Sequence, residues 1–124
     1  MTEAPQRVPD FFLHSVRYDV GSLVVTLAVK GDPYFEVQFD PPRAFRSYAE
    51  SDFWQYLETY TGDPLLSTPD GGAGVFISEN APYVQEYRKH VRPSEPEPTF
   101  SCLIATAQEC VEVVCFERPS IRFL

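Results

Sequence analysis

Apolar and polar positions alternate along most of this chain, and the period they keep changes from two residues to a helical spacing and back. Phe11 to Tyr18 (FFLHSVRY) and Ser22 to Lys30 (SLVVTLAVK) are β-rich runs separated by Asp19-Val20-Gly21, which predicts a hairpin. In the second run Leu23, Val25, Leu27 and Val29 share one face, and Val24, Thr26 and Ala28 share the other, the pattern of a strand covered on both sides. Gly31-Asp32-Pro33 supplies the next turn. Tyr34 to Asp40 (YFEVQFD) then alternates with Phe35, Val37 and Phe39 inward, extending the hairpin to a three-stranded meander. Pro41-Pro42 interrupts the ladder because proline has no N–H to donate, and Ala44 to Tyr48 resumes as an irregular edge.

From Ser51 the spacing becomes helical. Phe53, Tyr56, Leu57 and Tyr60 recur at three and four residues, Ser51 is placed as the N-cap and Asp52 suits the positive end of the helix dipole, so a helix is predicted over about residues 51–60. Gly62-Asp63-Pro64 ends it, and the following LLSTPDGGAG reads as a mobile loop whose Leu65-Leu66 pair needs cover. Val75 to Ile77 is a short strand. Asn80 then caps a second helix with Pro82 in its first turn and Tyr83, Val84, Tyr87 and Val91 as its buried stripe. Pro93 to Pro98 is a stiff polar connector. Phe100–Thr106 and Cys110–Glu117 flank Ala107-Gln108-Glu109 as a second, largely buried hairpin, and Ile121–Leu124 is an edge strand.

These elements imply an α+β fold: an antiparallel β-sheet of about five to six strands, made of the N-terminal meander and the C-terminal hairpin, with two helices packed on one face. No repeat at a period of about 20–50 residues points to a solenoid. The length of 124 residues suits a single domain, residues 1–124, and the hydrophobic fraction of 44% with 15% aromatics suits a packed core.

Eighteen acidic against ten basic side chains give a net charge of −8, which disfavours nucleic-acid phosphates and anionic membrane surfaces and suits either solubility or a basic partner. The odd set Cys102, Cys110 and Cys115 in apolar surroundings reads as reduced core thiols in a reducing compartment. With no apolar stretch in Met1–Pro9 and no membrane-spanning run of about 18 residues, the expected location is the cytoplasm.

Candidate chemistry is sparse. His14 and His90 are isolated, and the cysteines do not have metal-ligand spacing, so neither a metal site nor a cofactor is expected. An apolar strand surrounding makes Cys102 or Cys115 a poor nucleophile, and the Gly71-Gly72-Ala73-Gly74 run lacks the lysine of a phosphate loop. The acids fall mostly in loops and on outward strand positions, and no catalytic residue is assigned. More distinctive is the interleaving of aromatic and acidic residues between Asp52 and Asp70. Trp54, Glu58, Tyr60, Asp63 and Asp70 are the candidate partner-binding residues, because interface anchors favour Trp and Tyr and adjacent acids speed encounter with a basic partner. Trp54 and Glu58 lie four apart on one helix surface beside the apolar stripe. Phe53, Leu57 and Tyr56 are assigned to helix packing.

The stretch GVFISENAPYVQEYRKHV, followed by FSCLIATAQECVEVVCFERPSIRF, resembles small bacterial proteins encoded beside polymorphic toxins, the immunity proteins of contact-dependent and type VI systems. Their pattern is a short strand, a Ser-Glu-start helix rich in Tyr and Val, a connector and a closing hairpin. Upstream, YFEVQFDPPRAFRSYAESDFWQYLETY is similar to the strand, edge segment and acidic-start helix of the same proteins. Where that pattern opens its hairpin with a His-Tyr-like pair, this chain has Phe100-Ser101. The resemblance implies a non-catalytic inhibitor that binds a cognate toxin and occludes its active site or substrate path. The alternative is an adaptor or structural subunit of a larger assembly.

Overall fold

Two tight turns shape the N-terminal third of the chain. Asp19 and Ser22 close over Val20-Gly21, and Val29 and Asp32 close over Lys30-Gly31, where φ is 53° and 86°. In the second turn two successive positive φ values give the backbone the twist that joins antiparallel strands without splaying them, while in the first only Gly21 has a positive φ, 85°. The structure, a computed structural model, describes residues 6–69, 73–91 and 99–124. Its strands in chain order are β1 Gln6–Arg7, β2 Phe12–Asp19, β3 Ser22–Val29, β4 Asp32–Phe39, β5 Ala44–Ala49, β6 Asp63–Ser67, β7 Gly74–Ser78, β8 Phe100–Ala105, β9 Glu109–Cys115 and β10 Ser120–Phe123. The helices are α1 Trp54–Thr59, preceded by a 3-10 turn at Glu50–Asp52, and α2 Pro82–Lys89.

The strands form two sheets and not one. A four-stranded antiparallel sheet has the order β10-β4-β3-β2, and a six-stranded sheet has the order β1-β6-β7-β8-β9-β5. In the second sheet every pairing is antiparallel except that of β1 with β6. Alternation states which side chains of a strand are buried but not which sheet the strand joins. After Pro41-Pro42 the chain leaves the meander, and β5 pairs with β9. The meander and the C-terminal hairpin therefore belong to different sheets and meet through side chains.

That meeting forms the main core. Leu23, Val25, Leu27, Phe35, Val37 and Phe39 from one sheet pack with Val75, Cys102, Ile104, Val111, Val113 and Cys115 from the other. Phe11, just before β2, meets Phe35 edge to face at 5.0 Å. Each fully buried Val, Leu or Phe of this kind contributes about 1.5–3 kcal/mol. On the opposite face of β3, Val24 and Ala28 are also buried. Val24 stands directly between Arg17 and Gln38 in the ladder, whose long side chains are placed to cover it. Nearby, Arg122 and Glu36 form an ion pair at 2.7 Å.

The alternate residues of β8 and β9 make separate contacts. Leu103 and Cys110 pack with Tyr48, Phe53 and Leu57, whereas Val114 packs with Ala44, Ala81, Val84 and Tyr87. Several local expectations change here. Neither Ser51 nor Asn80 caps a helix: the N-cap positions are Phe53 and Ala81, without a side-chain cap bond. Asn80 instead offers its carbonyl to Gln85 Nε2 at 2.7 Å. Residues 63–67, expected as turn and loop, pair with β7, and Leu66 finds its cover in the main core. Val91 is 41% exposed, so it drops out of the α2 stripe. The Pro93–Pro98 connector lies outside the described residues. Among those described, no helix is long and apolar enough to cross a membrane.

Candidate functional site

Glu112 occupies the centre of β9 with no exposed surface, flanked by Val111 and Val113. A carboxylate buried alone costs several kcal/mol, so the fold must supply partners. They come from three elements, and a fourth supports one of them. Arg46 stands directly opposite on β5 and donates from Nη2 to Glu112 Oε1 at 2.9 Å. Tyr56 Oη of α1 donates to Oε2 at 2.7 Å, and Ser101 Oγ of β8 donates to the same oxygen at 2.6 Å. The Tyr60 hydroxyl is 3.2 Å from Ser101 Oγ, and the backbone N–H of Tyr83 in α2 donates to Tyr56 Oη at 3.4 Å. The Arg46 guanidinium also lies over the rings of Tyr83 at 4.2 Å and Tyr56 at 4.8 Å.

Burial governs the ionisation of this cluster. The hydroxyls of Tyr48, Tyr56, Tyr60 and Tyr83 are all pushed above their ordinary value, first by loss of solvent and, in Tyr56, also by the bond to the Glu112 carboxylate. Burial works against the charge on Arg46, but its bond to Glu112 outweighs that and raises its pKa. Three hydroxyl or guanidinium donors converge on one carboxylate, which is a bracing arrangement and no nucleophile's setting. Burial likewise raises the thiols, Cys115 to about 12 and Cys102 well above its usual range, leaving little thiolate at neutral pH. Among the described residues no group of three or more His, Cys, Asp or Glu side chains is placed to hold a metal. A shallow cavity of about 260 Å³ lies beside Leu57, Tyr60, Phe76 and Leu103, with Glu50 its charged lining residue.

The surface above this brace differs in character. Trp54 is 53% exposed at the start of α1, and Glu58, one turn later, is exposed as well. Asp63 is exposed at the start of β6, while Tyr60 is half-buried and turns its hydroxyl inward to Ser101. The structure thus brings Trp54 and Glu58 to one short helix, gives Tyr60 a bracing role, and leaves Asp70 outside the described residues. Between Arg46 and Arg88 the chain contains no lysine, arginine or histidine. Asp52, Glu58, Asp63 and Glu79 are exposed within that interval, and Glu86 is held below its usual pKa by His90 and Lys89 just beyond it. Arg46, at the start of the interval, is committed to Glu112.

Sequence reasoning missed the Arg46–Glu112 pair. Its signal was a single carboxylate inside the apolar run CVEVVC and a single guanidinium inside AFRSYA, but pairing them needs the β5–β9 register. Set against protein-family models, curated proteins and solved structures, the chain matches none.

Proposed function

We propose that this chain is a protein-binding module whose docking face is the acidic surface around α1. Within that class, we propose an immunity protein that captures a cognate basic toxin in the cytoplasm of the cell that makes it. The observation that carries this reading is the long interval from Ser47 to Tyr87, which has carboxylates and no basic side chain, with Trp54 exposed between Asp52 and Glu58 in the chain. A one-signed surface raises the encounter rate with an oppositely charged partner, and a large exposed aromatic side chain that becomes buried slows dissociation. In this reading the two helices lie on one face of the six-stranded sheet, and the Arg46–Glu112 brace holds them at a fixed height so that Trp54 is preorganised for docking. Neutralisation follows from covering the toxin's active site or substrate path and requires no reaction.

The test is protection. The chain is co-expressed with the product of the neighbouring gene in a sensitive host, and growth is compared with the neighbour alone. Rescue supports the reading, whereas a neighbour that is harmless alone, or one that stays toxic despite soluble expression of this chain, overturns it. In the rescued pair, Trp54→Ala should weaken binding by about 2 kcal/mol, roughly thirtyfold, mostly through faster dissociation seen by surface plasmon resonance. Raising the salt concentration should slow association instead.

A further inference from the structure

Strand β2 is the outer strand of the four-stranded sheet, so among the described residues one side of its backbone has no partner strand. It spans eight residues without proline, longer than the other edge strands β1, β5 and β10. Long unprotected edges are templates for pairing with another chain. The ladder to β3 closes on Asp19–Ser22 across a two-residue turn, and antiparallel alternation therefore turns the N–H and C=O groups of Val16 and Tyr18 outward. A bulge at His14 restricts the regular stretch to Ser15–Asp19.

The side chains along this stretch match a second copy of themselves. Val16 is 37% exposed, Tyr18 51%, and Val20 wholly exposed at the turn. The Tyr18 ring lies 5.3 Å from that of Phe45 on the neighbouring edge strand β5, so the two sheet edges form one apolar rim. In a chain of net charge −8, Ser15–Asp19 is neutral, carrying Arg17 and Asp19. These two make only a loose mutual contact of 3.7 Å and are largely exposed. It is a strip along which a second acidic copy approaches without like-charge repulsion.

We propose that β2 pairs antiparallel with β2 of a second copy about a two-fold axis at Tyr18, joining the two four-stranded sheets into one. In this register Arg17 of each copy faces Asp19 of the other, Val16 meets Val20, and Tyr18 stacks on its counterpart beside Phe45. Centring on Arg17 would oppose two guanidinium groups, and centring on Val16 would leave both charges opposite uncharged residues. Shifts of one residue in the pairing sum turn the apolar side chains to the wrong face. The charges are self-complementary about the axis, which selects a copy of this chain as the occupant. This dimer does not depend on the docking face around α1.

The experiment is light scattering on the purified full chain across a range of concentrations, with circular dichroism as the check on folding. The wild type is expected to reach twice the monomer mass of 14.1 kDa. Arg17→Asp and Asp19→Arg, both at exposed positions, should each be folded monomers, because each sets like charges against each other. An equimolar mixture of the two variants should dimerise again, since carboxylates at 17 and 19 of one then face guanidinium groups at 17 and 19 of the other. A wild type that stays monomeric at every concentration overturns the proposal. So does a dimer that neither substitution disturbs, or a mixture that stays monomeric.

Discussion

Tyr48 and Tyr56 both lie within reach of the Arg46 guanidinium, at 5.3 and 4.8 Å from ring centre, yet their hydroxyls differ in what they bond. Tyr56 donates to the buried carboxylate of Glu112, whereas the Tyr48 hydroxyl is buried without a partner among the described residues. A hydrogen bond to a charged group is worth about 1.5–3 kcal/mol net, and an unsatisfied buried hydroxyl costs about 1–3 kcal/mol. Tyr56→Phe should therefore lower stability by about 2 kcal/mol, while Tyr48→Phe should leave it unchanged or raise it by about 1 kcal/mol. Urea unfolding followed by tryptophan fluorescence reads this as opposite movements of the midpoint at constant slope. At this scale the sequence was partly legible. The inward Phe35, Val37 and Phe39 followed from alternation alone, but Glu112 counted as one of many acids because its burial depends on strands distant in the chain.

The Lys30-Gly31 turn shows where an element carries local strain. Lys30 adopts φ of 53°, a left-handed conformation that costs an ordinary side chain roughly 1–2 kcal/mol and that asparagine visits readily. Lys30→Asn should raise stability by about 0.5–1 kcal/mol, seen as an increase in Tm of roughly 3–5 °C by calorimetry. The strands of the N-terminal hairpin were readable because they are β-rich runs that turn at glycine, and those of the C-terminal hairpin because two apolar runs flank the short polar stretch Ala107-Gln108-Glu109. Helix α1 was readable in kind but not in length: the periodic residues continue from Phe53 to Tyr60, whereas the main chain begins as a 3-10 turn and is α-helical only over Trp54–Thr59. A helix this short is marginal alone and owes its form to packing of Phe53 and Leu57 on Leu103 and Cys110. Strand β6 was hidden because Pro64 and the nearby glycines read as a loop, and only the pairing with β7 makes residues 63–67 extended.

Across the whole molecule, the brace between β5, β8, β9 and the two helices links ionisation to folding. In the unfolded chain tyrosine ionises near 10, while Tyr48, Tyr56, Tyr60 and Tyr83 are held above that by burial. The folded state binds these protons more tightly, so their contribution is fully present below about pH 10 and is lost as pH rises through the folded-state values. In an alkaline titration, the absorbance of these four phenolates should appear together with loss of the circular dichroism signal and not before it. Ionisation of all seven tyrosines on the intact fold would contradict the arrangement. The two-sheet assembly sets this behaviour, because the six-stranded sheet has the main core on one set of side chains and the tyrosine cluster on the alternate set.

By itself the sequence determined the local period of each segment, most turn positions, the mixed α and β character and the acidic stretch around Trp54. These depend on side-chain order and on backbone preferences within a few residues. Only the tertiary structure decided that the meander and the C-terminal hairpin enter different sheets, that β1 runs parallel to β6, and that Arg46 meets Glu112. Each of those is a choice among partners far apart in the chain. Alternation leaves that choice degenerate, and it is resolved when burying both faces of the six-stranded sheet and pairing the buried charge of Glu112 with Arg46 on the neighbouring strand are satisfied together.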